Sequence, residues 1–480
     1  MLQFKHYING TWVIPSQHKY IDVINPATAE KFAEAANGSA QDVDAAVQAA
    51  KQAFSSWSQL PTMERCQWLL KIADAIDARL DELALAETTD NGKPLWLSRA
   101  LDIPRASSNF RFFATAAPHF ASESHAMDNN GVNYTLRQSI GVVGCISPWN
   151  LPLYLFTWKI APALAAGNCV VAKPSEVTPY TAHLLTEILD EIQFPAGVLN
   201  ILHGTGPSCG EAIVTHPEIK AISFTGSTRA GAQIAALAAP QFKKLSLELG
   251  GKNATLVFAD ADLENHLPTI VRSAFANQGQ ICLCGSRILI ERSIYESFKA
   301  KFVEAAQRLV PGDPLLESSQ QGAVVSEAHF QKILGCIETA KTEGASVLCG
   351  GHAVHVPGRC GTGYFVAPTV LEGLGPHCPT NQEEIFGPVV TLQAFDGEEE
   401  ALALANSTTY GLAASLFTQD LSRAHRLANT LQAGIVWINT WLDRDLRTPF
   451  GGVKQSGVGR EGGWEAFRFF TEPKNVCIRF

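Results

Sequence analysis

Short runs rich in apolar and β-branched residues alternate with helical stretches in two successive series, a rhythm that restricts the chain to parallel sheets wrapped by helices. The first series has strand candidates at 141–146, 168–172, 198–202, 219–224 and 245–249. A second follows Gly250, at 254–258, 287–291, 389–395, 413–417 and 435–439. Two α/β lobes are expected, since 480 residues exceed what one hydrophobic core ordinarily organises. Ahead of both series, Val43, Ala46, Val47, Ala50 and Phe54 recur at helical spacing, and a second helical run opens at Thr62 and continues through Cys66, Leu69, Ala73, Ile76 and Leu80. The N-terminal region therefore reads as helical. No solenoid repeat or low-complexity linker separates the series, which predicts a close interface between lobes. The polar stretch 117–134 fits neither lobe and reads either as a hairpin that meets another subunit or as an ordinary surface loop.

Charge excludes one class of partner. Thirty-seven Lys and Arg against 46 Asp and Glu leave a net charge of -9, with no basic arm to offset it, so nucleic acid is not an expected partner. The opening MLQFKHYINGTWV lacks the features of a secretory signal, and the apolar runs are too short for a bilayer, so a cytoplasmic protein free of membranes is expected. Eleven cysteines without framework spacing read as reduced thiols. With no CxxC pair and no HExxH, no metal site is expected.

The segment FANQGQICLCGSR (275–287) sets Cys282 after a glycine-containing turn that leads from a helix toward a strand. Such a turn can present a thiol at a cleft, although an isolated cysteine is more often a small buried hydrophobe. LELGGK (247–252) and SPWNLPL (147–153) add a carboxylate, Glu248, and an amide, Asn150. Taken singly, Glu248 balances Lys252 and Asn150 caps the helix that follows it. Together, thiol, carboxylate and amide are the groups that acyl chemistry requires. A thiol with an ordinary pKa of about 8.5 needs a base or a positive potential to become a nucleophile. Its attack on a carbonyl carbon creates an oxyanion that needs preorganised donors.

Seven motifs in order, these three with KPSE (173–176), FTGS (224–227), EEIFGP (383–388) and PFGGVKQSGVGREGG (449–463), resemble the aldehyde dehydrogenase superfamily over nearly the whole chain. The resemblance implies an α/β fold with a Rossmann-like NAD-binding lobe (1–116 and 138–249) and an α/β catalytic lobe (250–440). It also implies a small oligomerisation element (117–137 and 441–480), hence a homodimer or homotetramer. It assigns Cys282 as nucleophile, Glu248 as base and Asn150, with the Cys282 N–H, as oxyanion donors. NAD would lie along Ile146, Ser147, Pro148 and Trp149, with Gly206 nearby. Its pyrophosphate would lie near Phe224, Gly226, Ser227 and Leu249, at a helix N-terminus suited to anions. Lys173, Ser175 and Glu176 would meet the adenosine ribose, where a glutamate accepts from ribose hydroxyls and repels a 2′-phosphate, favouring NAD over NADP. Glu384 and Phe386 would contact the nicotinamide ribose or else only brace the lobe interface.

A narrower resemblance, carried by CLC (282–284), DIPRASSNFRFFA (102–114) and NTWLDRDLRTPFGG (439–452), is to the 2-aminomuconic and 2-hydroxymuconic semialdehyde dehydrogenases. It implies a short unsaturated aldehyde bearing a carboxylate, and a place in tryptophan breakdown through kynurenine. Arginine binds a carboxylate bidentately, and the resemblance assigns that task to Arg105 and Arg444. Arg99, Arg111 and Arg447 lie close by in sequence, and surface arginines commonly pair with acids such as Asp443 and Asp445. An aliphatic or retinoid-like aldehyde would instead need an apolar tunnel, for which Trp158, Phe113, Leu155 and Trp441 are candidates. Trp158 is placed with the substrate residues. A dedicated thiol esterase is the alternative from another class. Cys284 reads as a packing residue on an extended segment shared with Cys282.

Overall fold

The structure, a computed structural model, describes residues 2–128 and 130–480. The first series forms five adjacent parallel strands in the order Lys244–Glu248, Ile219–Thr225, Val142–Ile146, Cys169–Lys173, Leu199–Ile201. The chain starts in the middle at Val142–Ile146, steps outward through two strands, then returns to the other side. That reversal opens a crevice between Val142–Ile146 and Ile219–Thr225 at their carboxyl ends, where α/β sheets ordinarily bind ligands. Continuous burial of these strands accounts for their unbroken apolar runs.

The second series forms six parallel strands, Thr369–Glu372, Val389–Phe395, Arg287–Glu291, Ala254–Val257, Ala413–Phe417 and Ile435–Ile438, edged by antiparallel Ser346–Cys349. All ten expected strands are present within a residue or two. Ser346–Cys349 and Thr369–Glu372 were not expected, because four residues, half of them exposed in the edge strand, carry little pattern.

The N-terminal region departs from the expectation. Helices Ala40–Gln59 and Thr62–Ala78 form as predicted, but five short strands precede them. Of these, His6–Ile8 and Thr11–Val13 extend the first sheet antiparallel beyond Leu199–Ile201. Three-residue strands lie below the length at which alternation can be recognised.

The stretch 117–134 is a hairpin. Ser124–Met127 and Gly131–Ser139 pair antiparallel, and Thr471–Arg479 completes a separate three-stranded sheet. Residues 441–480, read as one block with that hairpin, divide in the structure. Gly457–Val458 pairs with Lys244–Glu248 at the edge of the first sheet, and Phe467 packs against Phe113 and Phe120.

Beneath the first sheet, His6 and His203 are buried with rings 6.5 Å apart, beside Asp42, Lys173 and His183. Burial pulls His6 down from 6.5 to about 4, against the attraction of Asp42. It also holds His203 well below the usual range, helped by the neighbouring cations. Both imidazoles are neutral in the folded chain, whereas the unfolded chain protonates them below about pH 6.5. Their contribution is therefore complete above that value and is lost as pH falls toward 4, by about 3 kcal/mol for His6. Thermal melts from pH 8 to 4.5 should show a falling Tm, with a shallower fall in His203→Leu; an equal slope in that variant would refute this origin.

Candidate active site

Cys282 sits on the turn between helix Leu263–Phe275 and strand Arg287–Glu291. The turn is held in an unusual backbone shape: Asn277, Gln278 and Gly279 all have positive φ, at 51, 56 and 70°. Residue 279 must be glycine, since a Cβ there would lie 2.1 Å from the Gly387 carbonyl oxygen. Amides offset the strain. The Gln278 amide donates to the Ala323 carbonyl at 3.2 Å, and the Gln280 side-chain oxygen accepts from the Val325 N–H at 3.0 Å. On the far side, Asn253 Nδ2 donates to the carbonyls of Cys282 and Cys284 at 2.7 and 2.9 Å.

The segment around the two cysteines is not extended. The Cys284 N–H bonds back to the Ile281 carbonyl at 2.9 Å, closing a turn. Cys284 Sγ faces the Ala276 carbonyl and a separate small cavity. Cys282 is half-buried and lines a cavity of about 250 Å³ with Asn150, Gly226, Ser227, Glu384 and Phe386.

Asn150 does not cap the following helix, Pro152–Ala165, whose N-terminus has no side-chain cap. Its amide instead crosses to the turn, Nδ2 donating to the Gln280 carbonyl at 2.9 Å. Its own carbonyl accepts from Lys93 Nζ at 3.1 Å and Asn277 Nδ2 at 3.0 Å. Lys93 is wholly buried between Glu87 and Asp102. Glu87 also accepts from the Leu153 N–H at the start of the Asn150 helix, 3.3 Å away, and Asp102 directly precedes helix Ile103–Ala116. Among the described residues the Cys282 N–H takes no backbone acceptor, so it and the Asn150 amide can face an oxyanion.

Glu248 ends its strand with both carboxylate oxygens buried and without hydrogen bonds. It makes no ion pair with Lys252. Burial raises its carboxyl well above the usual range, Glu461 adding to this and Lys159, Arg460 and Arg444 opposing it. Burial also raises the Cys282 thiol, reinforced by Glu384 and Glu248 and opposed by Arg444.

The crevice at the sheet reversal holds half of the expected cofactor residues. Pro148, Trp149, Gly226, Ser227, Leu249, Glu384 and Phe386 line the same cavity as Cys282. Ser227 caps helix Thr228–Ala238, accepting from the Ala230 N–H at 3.2 Å. A Cβ on Gly226 would meet the Phe224 ring at 2.4 Å, so the position requires glycine, which presents only backbone where it lines the crevice. One Glu384 oxygen accepts from the Gly251 N–H at 2.8 Å, and burial lifts its carboxyl to about 6. Lys173, Ser175, Glu176 and Gly206 lie outside this cavity, the first three at the end of the next strand, Cys169–Lys173, and Gly206 beyond Leu199–Ile201. Lys173 Nζ turns inward to the Gly204 and Pro174 carbonyls at 2.7 and 2.9 Å and to Glu176 at 3.2 Å. Ile146 is buried in its strand, and Ser147 donates its N–H to the Lys173 carbonyl at 3.1 Å.

Two cavity residues outside the motifs were not anticipated. His329 Nε2 meets the Phe386 carbonyl at 2.7 Å, and Lys332 Nζ donates to that of Glu384 at 3.1 Å. They come from a helix, Glu327–Thr342, without a motif, and only packing brings them here.

The five arginines near the motifs separate cleanly. Arg99 pairs with Asp81 and Glu317, Arg111 with Asp74 and Asp77, and Arg447 with Asp445. Arg105 and Arg444 form no ion pair among the described residues and converge on Tyr154. Arg444 Nη1 donates to its hydroxyl at 2.7 Å, and Arg105 lies over its ring at 5.7 Å. Trp158 is only 1% exposed and supports Arg444 from beneath, 5.0 Å from the guanidinium. Its place is behind that arginine.

Comparison with known proteins agrees with this geometry. Residues 12–476 match the model of the aldehyde dehydrogenase family. The chain is 50% identical to the 2-aminomuconic semialdehyde dehydrogenase of Danio rerio, covering 100% of this chain and 98% of that protein. It is 46% identical to the 2-hydroxymuconic semialdehyde dehydrogenase of Pseudomonas sp. (strain CF600), covering 100% of both. A crystal structure of betaine aldehyde dehydrogenase from Staphylococcus aureus in complex with NAD+ superposes with a TM-score of 0.96 at 36% identity, covering 99% of this chain and 94% of that one.

Proposed function

Because the chain belongs to the aldehyde dehydrogenase family, and is therefore an oxidoreductase acting on aldehydes, we propose that it oxidises 2-aminomuconic semialdehyde to 2-aminomuconate with NAD. The observation that carries the choice of substrate is the pair Arg105 and Arg444, free of acids and gathered on Tyr154. Two guanidinium groups that meet at one tyrosine without acid partners suit an aldehyde that already carries a carboxylate.

Glu248 takes the Cys282 proton, directly or through water, and sulfur bonds to the aldehyde carbon. Asn150 Nδ2 and the Cys282 N–H hold the resulting oxyanion. NAD, when bound, accepts the hydride that leaves this carbon. Cys282 then carries a thioester; Glu248 deprotonates a water, the water attacks, and the carbon–sulfur bond breaks to release the carboxylate. The cofactor fits the crevice because its wall at Gly226 is bare backbone beside a helix N-terminus, and Glu176 at the adjacent strand end favours an unphosphorylated ribose.

2-Hydroxymuconic semialdehyde is the second reading, favoured by the Pseudomonas relative. The exposed faces of the three-stranded sheet carry Met127, Leu136, Ile478 and Phe480, which supports a homo-oligomer built through 117–137 and the C-terminal strand. Eleven free cysteines accord with a reducing, cytoplasmic setting.

Steady-state NADH formation with both semialdehydes and with 2-hexenal tests the substrate class. Arg105→Ala and Arg444→Ala should each lower the preference for the semialdehydes roughly 10- to 100-fold. Equal use of 2-hexenal by the unaltered protein would discard the carboxylated substrate and leave the family chemistry standing.

A further inference from the structure

We propose that Tyr154 is a specificity-determining residue of this site: its hydroxyl is a third donor to the substrate carboxylate, and its ring and oxygen fix the two arginines around it. The inference rests on the reading that Arg105 and Arg444 receive that carboxylate.

A phenol has one proton and two lone pairs. Arg444 Nη1 occupies a lone pair at 2.7 Å, while the phenolic proton has no acceptor among the described residues. Tyr154 is only 5% exposed, so bulk water satisfies that proton poorly. A guanidinium donating into the oxygen polarises the O–H and strengthens it as a donor. One guanidinium holds the hydroxyl and the other lies over the ring, and a substrate carboxylate is an acceptor that serves all three donors.

Its setting is rigid. Asn109 Nδ2, fully buried, donates to the Tyr154 carbonyl and to Thr157 Oγ1, both at 3.0 Å. Asn109 stands four residues after Arg105 on the same helix face, so one amide fixes Arg105 relative to Tyr154. Arg444 is sandwiched by Phe450, 4.1 Å from the guanidinium, and by Trp158, which leaves it one polar anchor within the site, the phenol. Tyr154 also packs with Leu151 and Leu155, an apolar flank suited to an unsaturated carbon chain. It lies on the first turn after Asn150, and Arg444 is near enough to act on the charge of both Cys282 and Glu248. Carboxylate and aldehyde ends of a short substrate thus fall within one site.

The test is Tyr154→Phe, which keeps the ring and removes only the oxygen. The ratio of kcat/KM for 2-hydroxymuconic semialdehyde to that for 2-hexenal should fall roughly 10- to 100-fold, the loss lying in KM for the semialdehyde rather than in kcat. Tyr154→Phe combined with Arg444→Ala should lose less than the product of the two single losses, because the arginine is already unanchored. An unchanged ratio in Tyr154→Phe, beside lowered ratios in both arginine variants, would overturn the role of Tyr154 alone. Unchanged ratios in all three would overturn the carboxylate reading itself.

Discussion

Cys282→Ser is expected to abolish aldehyde oxidation, lowering kcat roughly 10⁴-fold or more, while Cys284→Ser loses less than about tenfold. The contrast follows from the closed turn between them, which sends Cys282 to the large cavity and Cys284 to the other side of the segment. A hydroxyl in place of the Cys282 thiol is a far weaker nucleophile at neutral pH. NADH absorbance on adding aldehyde measures both variants. Comparable rates for Cys282→Ser and Cys284→Ser would remove the assignment of the nucleophile.

Glu248→Gln should lower kcat by about 10³-fold through loss of the base that activates water for thioester hydrolysis. The fold isolates this carboxyl: both oxygens lack partners, and burial raises its proton affinity. A carboxyl with a raised pKa is protonated below that value and becomes a base only above it, so turnover by the unaltered protein should climb with pH, and the climb should lie above the ordinary carboxylate range. The glutamine variant should lose that climb. Rapid mixing distinguishes the two tasks given to Glu248. One NADH per site in a burst, followed by slow turnover, means that hydrolysis alone has failed; no burst means that the thiol was not activated. A variant that retains kcat within about tenfold, with the pH profile intact, would refute both tasks.

Much of this site was readable before folding was considered, because its chemistry is concentrated in contiguous motifs. Parallel strands announce themselves by unbroken apolar runs, so the strands that end at the crevice were legible, though not their order; Asn150, Gly226 and Glu248 came from motifs and the resemblance they carry. Cys282 was legible from its company. His329, Lys332 and Tyr154 were not, since each sits in a helix whose local sequence carries no sign of what packs against it. The arginines illustrate the limit best. Five lay close together along the motifs with the same chemistry, and only the positions of Asp74, Asp77, Asp81, Asp445 and Glu317 reveal which three are satisfied. The backbone around Cys284, though not its packing, was misjudged for a similar reason, as an extended segment and a closed turn of four residues have the same composition.

Lys93 and its two carboxylates give the first lobe the character of a caliper. One jaw is Asn150, whose carbonyl Lys93 grips; the other is Arg105, three residues beyond Asp102 on the helix that Lys93 also holds. The gap between the jaws is set inside one packed body, whereas the thiol belongs to a turn that runs into the second sheet. Relative movement of the lobes therefore alters how closely sulfur approaches the aldehyde, but not the length of molecule the caliper accepts. The nucleophile and the gap between Asn150 and Arg105 are held by different halves of the chain, and changes in the reach of Arg105 can retune substrate length without disturbing the nucleophile.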